Sequence, residues 1–218
     1  MKKTLIVMTI AMLTFVGKAY AEMSFGVSAA LTKIDASGTE TENGEANKGD
    51  ANNLVVVPSV FVEYAFTDAV SIGLDYIPLG ADVSNKTKST SKVETSVTGT
   101  DTQTTTNRKQ SAQAELNNHA VLYANVMLTD TMFVKLGAAF VELETDDSLA
   151  TGSKYGNEDI FGGVIGVGAK TDNHRFELIY TDYEDVSLTS SVARTGVTAK
   201  NKIDAELDTL AFKYSYAF

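Results

Sequence analysis

The chain contains no cysteine, which removes thiol nucleophiles and thiolate metal ligands from consideration. It has only two histidines, and acids outnumber bases so far that the formal net charge is −10. A strongly acidic chain repels phosphate, so we expect no nucleic-acid partner. The sequence also lacks a glycine-rich phosphate loop before a helix and the spacing of a calcium loop. We therefore expect no cofactor and no metal ion.

Long apolar runs are missing as well, except near the first residue. There, two lysines precede an apolar run over 4–16, and Ala19 and Ala21 supply a small-x-small cleavage pattern. The run is shorter than the roughly 20 residues that a transmembrane helix needs. We predict a cleaved signal peptide over 1–21 and one mature domain over 22–218. The alternative is an N-terminal membrane anchor.

What the remaining chain does contain is a strict alternation of apolar and polar residues, the period of a β-strand. In the first segment, Phe25 and Val27 alternate with Gly26 and Ser28. Eight such segments occur, over 23–32, 54–66, 70–76, 119–128, 132–140, 161–169, 175–181 and 210–218. Their lengths are near the roughly 9–11 residues that a tilted membrane strand needs. Pro58 removes a ladder donor from the second segment and suggests a bulge or a position near the rim.

The connections between these segments alternate between short and long. The short ones carry Thr-Asp at 67–69, 129–131 and 171–173, and Asp can bond its own backbone two residues on. The long, polar ones are 35–53, 80–113, 145–159 and 185–202. Within them, 84–113 is so poor in large apolar residues that we expect most of it to be mobile, although Val93 and Val97 could form a weak strand extension above the membrane. A linker between two domains is the alternative.

This sorting of connections is typical of membrane barrels. The sequence therefore predicts an all-β, eight-stranded antiparallel up-and-down transmembrane barrel with short periplasmic turns and long extracellular loops. An interior of eight strands is just wide enough for side chains to fill it. We expect a closed or narrow lumen, in which inward glycines make room for aromatic side chains.

The charges on the polar faces of the strands are balanced, with three acids and three bases at similar heights above the short turns. They are Glu63, Asp75, Lys135, Arg175, Glu177 and Lys213. Because charges embedded in a membrane face inward and pair, we predict an ion network across the lumen. The alternative is that these are the solvated faces of ordinary half-exposed strands.

The segment 210–218 ends in alternating large apolar and aromatic residues. They are Leu210, Phe212, Tyr214, Tyr216 and Phe218. This pattern looks like the assembly signal read by the barrel-insertion machinery of outer membranes. Lys213 and Ala211 depart from it, since the signal usually has glycine and a polar residue at those places.

Over 22–218, the layout resembles the family of small eight-stranded barrels typified by the transmembrane domain of outer-membrane protein A and by outer-membrane protein X. The resemblance implies a location in the outer membrane of a Gram-negative bacterium. It also implies a structural or surface-interaction role, with at most a narrow pore. The expected partners are outer-membrane lipid, lipopolysaccharide and the barrel-assembly machinery, and an extracellular partner would bind through 35–53 and 80–113.

A lipid-modifying enzyme is the alternative function, because lipid A deacylases and palmitoyltransferases use a histidine with a serine and an acid on a similar barrel. His119 has inward parity, and Ser28 or Ser59 could approach it. Nucleophilic chemistry needs the serine and the base within hydrogen-bond reach, which the sequence does not show. Since a site needs a constellation of groups, we interpret His119 as a polar lumen residue and expect no enzyme.

Overall fold

The computed structural model describes residues 22–42, 45–84, 88–98, 102–148, 155–191 and 200–218. The predicted signal peptide over 1–21, with Ala19 and Ala21, lies outside the described residues. The strands are β1 (Glu22–Glu42), β2 (Glu45–Thr67), β3 (Val70–Ile77), β4 (Ala81–Asp82), β5 (Lys88–Thr98), β6 (Thr102–Met127), β7 (Met132–Ser148), β8 (Asn157–Thr171), β9 (His174–Tyr183), β10 (Val186–Thr189) and β11 (Lys202–Ala217). Among the described residues, no helix is long and apolar enough to cross a membrane.

Eight of these strands form a closed antiparallel barrel. The order is β1-β2-β3-β6-β7-β8-β9-β11, and β11 pairs back to β1 from Gly26↔Ala217 to Thr41↔Lys202. Closure removes the unpaired edges that an open sheet would expose. The predicted eight-stranded antiparallel barrel is therefore confirmed.

The outer face of the barrel is apolar, as the alternation predicts. Large exposed side chains encircle it, including Phe25, Val27, Leu31, Val60, Ile72, Leu122, Leu136, Ile165, Leu178 and Phe212. In water, each Å² of this apolar surface left exposed would lose roughly 25 cal/mol of the free energy that burial provides. In a bilayer it faces acyl chains, and the closed wall satisfies the backbone groups that lipid cannot. We call this band the lipid belt, and it marks the membrane-spanning part of the barrel.

The short connections are tight turns, as predicted, but threonine rather than aspartate provides the side-chain acceptor in two of them. Thr67 Oγ1 accepts hydrogen bonds from the backbone N–H groups of Ala69 and Val70, at 3.2 and 3.1 Å. Thr129 Oγ1 does the same in the second turn, at 3.3 and 3.0 Å. In the third turn Asp172 adopts a φ of 46°, a left-handed conformation that Asp tolerates.

The long connections are not irregular loops over most of their predicted ranges. β1 and β2 stay paired as far as Glu42↔Glu45, which covers most of 35–53. Where the structure describes 80–113, it contains β4 and β5, both paired with β6. Over the described residues these connections are therefore largely extensions of the strands, and the predicted long extracellular loops stay a prediction. The reason is that threonine favours extended strands, and pairing with a neighbouring strand satisfies the backbone of a polar segment without any apolar core.

A bulge in β6 reverses the alternation of its side chains. The register with β7 shifts between Asn117 and Ala120, and Asn118 takes a φ of 53°. Nearer the turn, odd-numbered residues such as Tyr123 are buried, whereas beyond the bulge the even-numbered Leu116 is buried. One inserted residue moves every later side chain to the other face of a strand. The strict two-residue period therefore fails beyond Asn118.

Candidate functional site: a plugged lumen and the cavity above it

The six charged residues predicted to line the lumen all lie inside the barrel, with 3–9 % of their surface exposed. They meet as three ion pairs, Glu63 with Arg175, Asp75 with Lys213, and Glu177 with Lys135. Each pair joins two strands that are not neighbours in the barrel, so the side chains cross the interior. Buried charges are tolerated only when they are paired. We call these six residues the plug.

Glu63 is the most heavily bonded member of the plug. Arg175 donates to both carboxylate oxygens, from Nη1 to Oε2 at 2.5 Å and from Nη2 to Oε1 at 2.9 Å. Tyr123 Oη and Asn125 Nδ2 also donate to Oε2, at 3.1 and 2.9 Å. A bidentate guanidinium–carboxylate pair is among the strongest side-chain hydrogen bonds in proteins. This network fixes the position of the plug between β2 and β9.

Glycines on the inner face make room for the plug. Lys135 on β7 reaches Glu177 on β9 across β8, whose inward residues at that level are glycines. The ring of Tyr123 occupies the space beside Gly73, where an added Cβ would lie 2.8 Å from Cε2 of that ring. Nζ of Lys135 lies 4.0 Å from the centroid of the same ring, which adds a cation–π attraction. Side chains therefore occupy the volume that the glycines leave.

Beyond the plug, the lumen contains a cavity of about 80 Å³. Its walls are mostly apolar, as at Val57, and Asp75 and Lys213 of the plug form its floor. Further from the periplasmic turns, a buried apolar cluster fills the interior. In this cluster Tyr155 Oη donates a hydrogen bond of 3.2 Å to Glu40 Oε1. The cavity is thus bounded at both ends of the barrel axis.

The barrel wall is interrupted beside this cavity. The register between β2 and β3 stops at Val60↔Tyr76. Two residues further along, the same register would place Pro58 opposite Pro78, and these are the only prolines of the chain. Proline has no backbone N–H and cannot donate to a ladder. The ladder therefore ends where two residues without donors would face each other.

The interruption forms a slot between β2 and the segment that leads from β3 to β4. Val57 on one edge and Leu79 on the other both line the cavity. Farther out, Asn53 Nδ2 donates to the backbone oxygen of Asp82 at 2.8 Å and ties the two edges together. The slot is therefore a bounded opening in the side of the barrel, next to the cavity.

The slot lies at the level of the lipid belt. Leu54 and Val56 point outward on the same stretch of β2 and are 61 % and 69 % exposed. On β1, Leu31 lies opposite Val56 and Lys33 lies opposite Leu54. The outer surface of β1 therefore changes from apolar to charged between these two positions. A lysine near the membrane surface can extend its ammonium group toward the head groups. The slot consequently lies near the edge of the lipid belt that is remote from the short turns.

The candidate catalytic histidine and the candidate serines bond to other groups. His119 Nε2 lies 3.2 Å from Tyr183 Oη, and Ser28 and Ser59 are hydrogen-bonded to each other. His119 and Ser59 both line the cavity, but the described contacts do not join them. In the part of the chain that the structure describes, no group of three acidic or histidine side chains is placed to hold a metal ion.

The predicted assembly residues lie on the outer side of β11. Exposed side chains include Leu210, Phe212, Tyr214 and Phe218, while Tyr216 is half-buried. Tyr214 Oη lies 2.7 Å from Nδ1 of His174, and the two rings stack with centroids 5.9 Å apart. These residues thus belong to the lipid belt near the periplasmic turns. Their recognition by the assembly machinery stays a prediction.

No protein-family model matches the chain, and no curated protein sequence matches it. Among solved structures, it is similar to the outer membrane protein OprG from Pseudomonas aeruginosa, with 13 % identity, coverage of 89 % of this chain and 96 % of that chain, and a TM-score of 0.49. The outer membrane protein AlkL, solved in lipid bilayers, has 11 % identity, coverage of 93 % of each chain and a TM-score of 0.49. Neisserial surface protein A has 16 % identity, coverage of 90 % and 99 %, and a TM-score of 0.40.

The closed wall and the lipid belt identify the molecule on physical grounds. A single sheet that turns its apolar face outward all the way round can satisfy its backbone in lipid only by closing on itself. Charged residues then have to lie inside and pair, as the plug does. The protein is accordingly a membrane-spanning β-barrel of eight antiparallel strands.

Proposed function

We propose that this barrel is a non-enzymatic protein that admits small apolar molecules from the outer leaflet through the slot, rather than solutes along its axis. One observation carries the proposal: the ladder between β2 and β3 ends two residues before Pro58 and Pro78, beside a cavity with apolar walls. Apolar solutes gain free energy wherever they leave water for apolar surface. A gap in the ladder lets them pass the wall without displacing backbone hydrogen bonds.

The plug argues against a wide axial pore. A solute that follows the axis has to pass three buried ion pairs. Separating one such pair exposes an uncompensated buried charge, which typically costs about 3–5 kcal/mol. This supports the sequence-based expectation of at most a narrow pore. The bond between His119 and Tyr183 likewise supports a binding role over lipid modification.

The test is to restore the ladder. In Pro58→Thr/Pro78→Thr, both positions gain a backbone N–H, so β2 and β3 can pair further and narrow the slot. Intact cells that produce this variant should take up a small radiolabelled hydrocarbon, such as toluene, more slowly than cells with the native barrel. Amide hydrogen exchange over 54–59 should become slower in the variant.

The matched control is Val167→Thr, which places a threonine on the lipid belt on β8, across the barrel from the slot. Both proteins should reach the outer membrane in equal amounts, judged by their mobility on gels without boiling. Uptake that stays unchanged while exchange over 54–59 slows would show that the slot is not the route.

A second candidate function is recognition of an external partner, and one observation favours it. β1 and β2 remain paired out to Glu42↔Glu45, so this hairpin projects as a ribbon beyond the lipid belt. The surface-interaction role would use such a ribbon. The predicted contact with anionic lipopolysaccharide would instead use the basic hairpin of β5 and β6, because the ribbon of β1 and β2 is acidic. Hydrogen exchange over 102–112 should be slower in lipopolysaccharide bilayers than in phosphatidylcholine bilayers. Equal rates would remove the support for this contact.

A further inference from the structure

The floor of the cavity contains a carboxylate with one unsatisfied oxygen. Asp75 is 7 % exposed and lines the cavity, and its Oδ2 pairs with Nζ of Lys213. The other oxygen, Oδ1, is buried and accepts no hydrogen bond from any residue that the structure describes. A buried anionic oxygen without a donor is costly. This position therefore favours a group that donates a hydrogen bond.

The charges around Asp75 restrict what that group can be. The two ammonium groups on the described lining, from Lys135 and Lys213, are already paired with Glu177 and Asp75. An anionic head group would find no unpaired cation there and would approach the carboxylate of Asp75. A cationic head group would add a charge to a plug whose acids and bases already balance. A neutral hydroxyl satisfies Oδ1 without either cost.

The size of the cavity leaves room for more than the hydroxyl. The volume of about 80 Å³ is several times the roughly 10–15 Å³ that one water molecule needs on the same measure. A hydroxyl and a short apolar chain therefore fit in this space. A longer chain has to leave past Val57 and Leu79 through the slot, toward the lipid belt.

We propose that the cavity binds neutral molecules that carry one terminal hydroxyl on an apolar chain. The hydroxyl donates to Oδ1 of Asp75, and the chain extends through the slot into the outer leaflet. This assignment rests on the proposed function, because the slot provides the path to the cavity. It adds the chemistry of the head group, which the slot alone does not specify.

Three probes of nearly equal size test the assignment on the full barrel in lipid nanodiscs: hexanol, its isomer methyl pentyl ether, and heptane. Amide resonances of Val121 and Thr181, which line the cavity, report binding, and that of Phe176 on the lipid belt reports dissolution in lipid. Binding of each probe is expressed against its concentration in the lipid phase, because the three probes partition differently between water and lipid. Hexanol should bind about tenfold more tightly than the ether, the ratio expected for a hydrogen bond to a charged acceptor.

A variant checks that Asp75 is the acceptor. Asp75→Leu/Lys213→Met removes Oδ1 together with the ammonium group that pairs with the acid, so no buried charge is left alone. The preference for hexanol over the ether should disappear in this variant. It should persist in the matched control Glu63→Leu/Arg175→Met, which removes an ion pair that does not line the cavity.

The outcomes separate this assignment from the proposed function. Equal binding of hexanol and the ether would overturn the hydroxyl assignment, leaving water as the partner of Oδ1, while the slot would remain the route. Shifts at Phe176 without shifts at Val121 or Thr181 would overturn both. If the Asp75 variant does not fold, the comparison of the three probes on the native barrel decides the matter.

Discussion

Replacing Glu63 by leucine tests whether the plug stabilises the barrel. The carboxylate accepts two hydrogen bonds from Arg175 and one each from Tyr123 and Asn125. The side chains of the ion pair are only 11 % and 8 % exposed, so water can replace little of what is lost. Leaving one buried charge without its partner typically costs about 3–5 kcal/mol. We expect Glu63→Leu to lower the free energy of unfolding by that amount.

The assay is reversible urea unfolding in lipid vesicles, as a double-mutant cycle. Glu63→Leu/Arg175→Met should recover most of the lost stability, because apolar residues of similar volume can replace a buried ion pair at little cost. The control is Asp35→Ala, which removes the ion pair between Asp35 and Lys33. The N–O distance of this pair is also 2.5 Å, but the side chains of Lys33 and Asp35 are 56 % and 37 % exposed. Such a pair contributes less than about 1 kcal/mol. The reasoning fails if Glu63→Leu is no more destabilising than Asp35→Ala, or if the double variant is no more stable than the single one.

Three further outcomes are expected. Gly73→Ala should destabilise the barrel by about 1–3 kcal/mol in the same urea assay, because a Cβ there overlaps the ring of Tyr123. Its control is Gly163→Ala, where nothing lies within 4 Å of the added atom, and the free energy of unfolding should change by less than about 0.5 kcal/mol. Thr67→Val should cost about 0.5–1.5 kcal/mol by removing the acceptor of two backbone N–H groups, and Thr67→Ser should restore it. The folded barrel should migrate differently on gels with and without boiling, and a mobility that does not change would contradict the closed barrel.

Much of the barrel follows from a local rule that the sequence displays directly. A strand that faces lipid on one side and a polar lumen on the other has to alternate, so the parity of Phe25, Val27 and their counterparts assigns the faces. The same parity places Glu63, Asp75 and Lys135 inside. Sign balance predicts that such charges pair, because an unpaired one is costly in the lumen. None of this requires knowledge of which strands are neighbours.

The features that depend on register could not be read in this way. Pro58 looks like a defect of one strand until the pairing of β2 with β3 shows that Pro78 would face it. The bulge at Asn118 was missed because Asn-Asn carries no period-two signal, and it moved Leu116 to the inner face. The sequence indicated only a weak strand extension at Val93 and Val97, because a polar segment was judged by its lack of apolar core. Threonine-rich segments can pair through the backbone alone, and β5 pairs with β6 over its whole length.

The plug and the slot make sense only in combination. A stretch of β2 without a neighbour on one side leaves backbone groups that lipid cannot satisfy, so an opening in a membrane barrel has to be short and bounded. Here Pro58 and Pro78, two residues beyond the last pair of the ladder, lack backbone donors at its lower end, and the bond from Asn53 to Asp82 closes its upper end. Beside the plug the ladder continues from Val60↔Tyr76 to Thr67↔Val70, with one irregularity between Ala65 and Thr67 near the turn, and a gap at this level would let the buried charges meet lipid. An axial pore does not need a break in the ladder between β2 and β3, and it does not need that break to lie above the ion pairs. A side opening needs both.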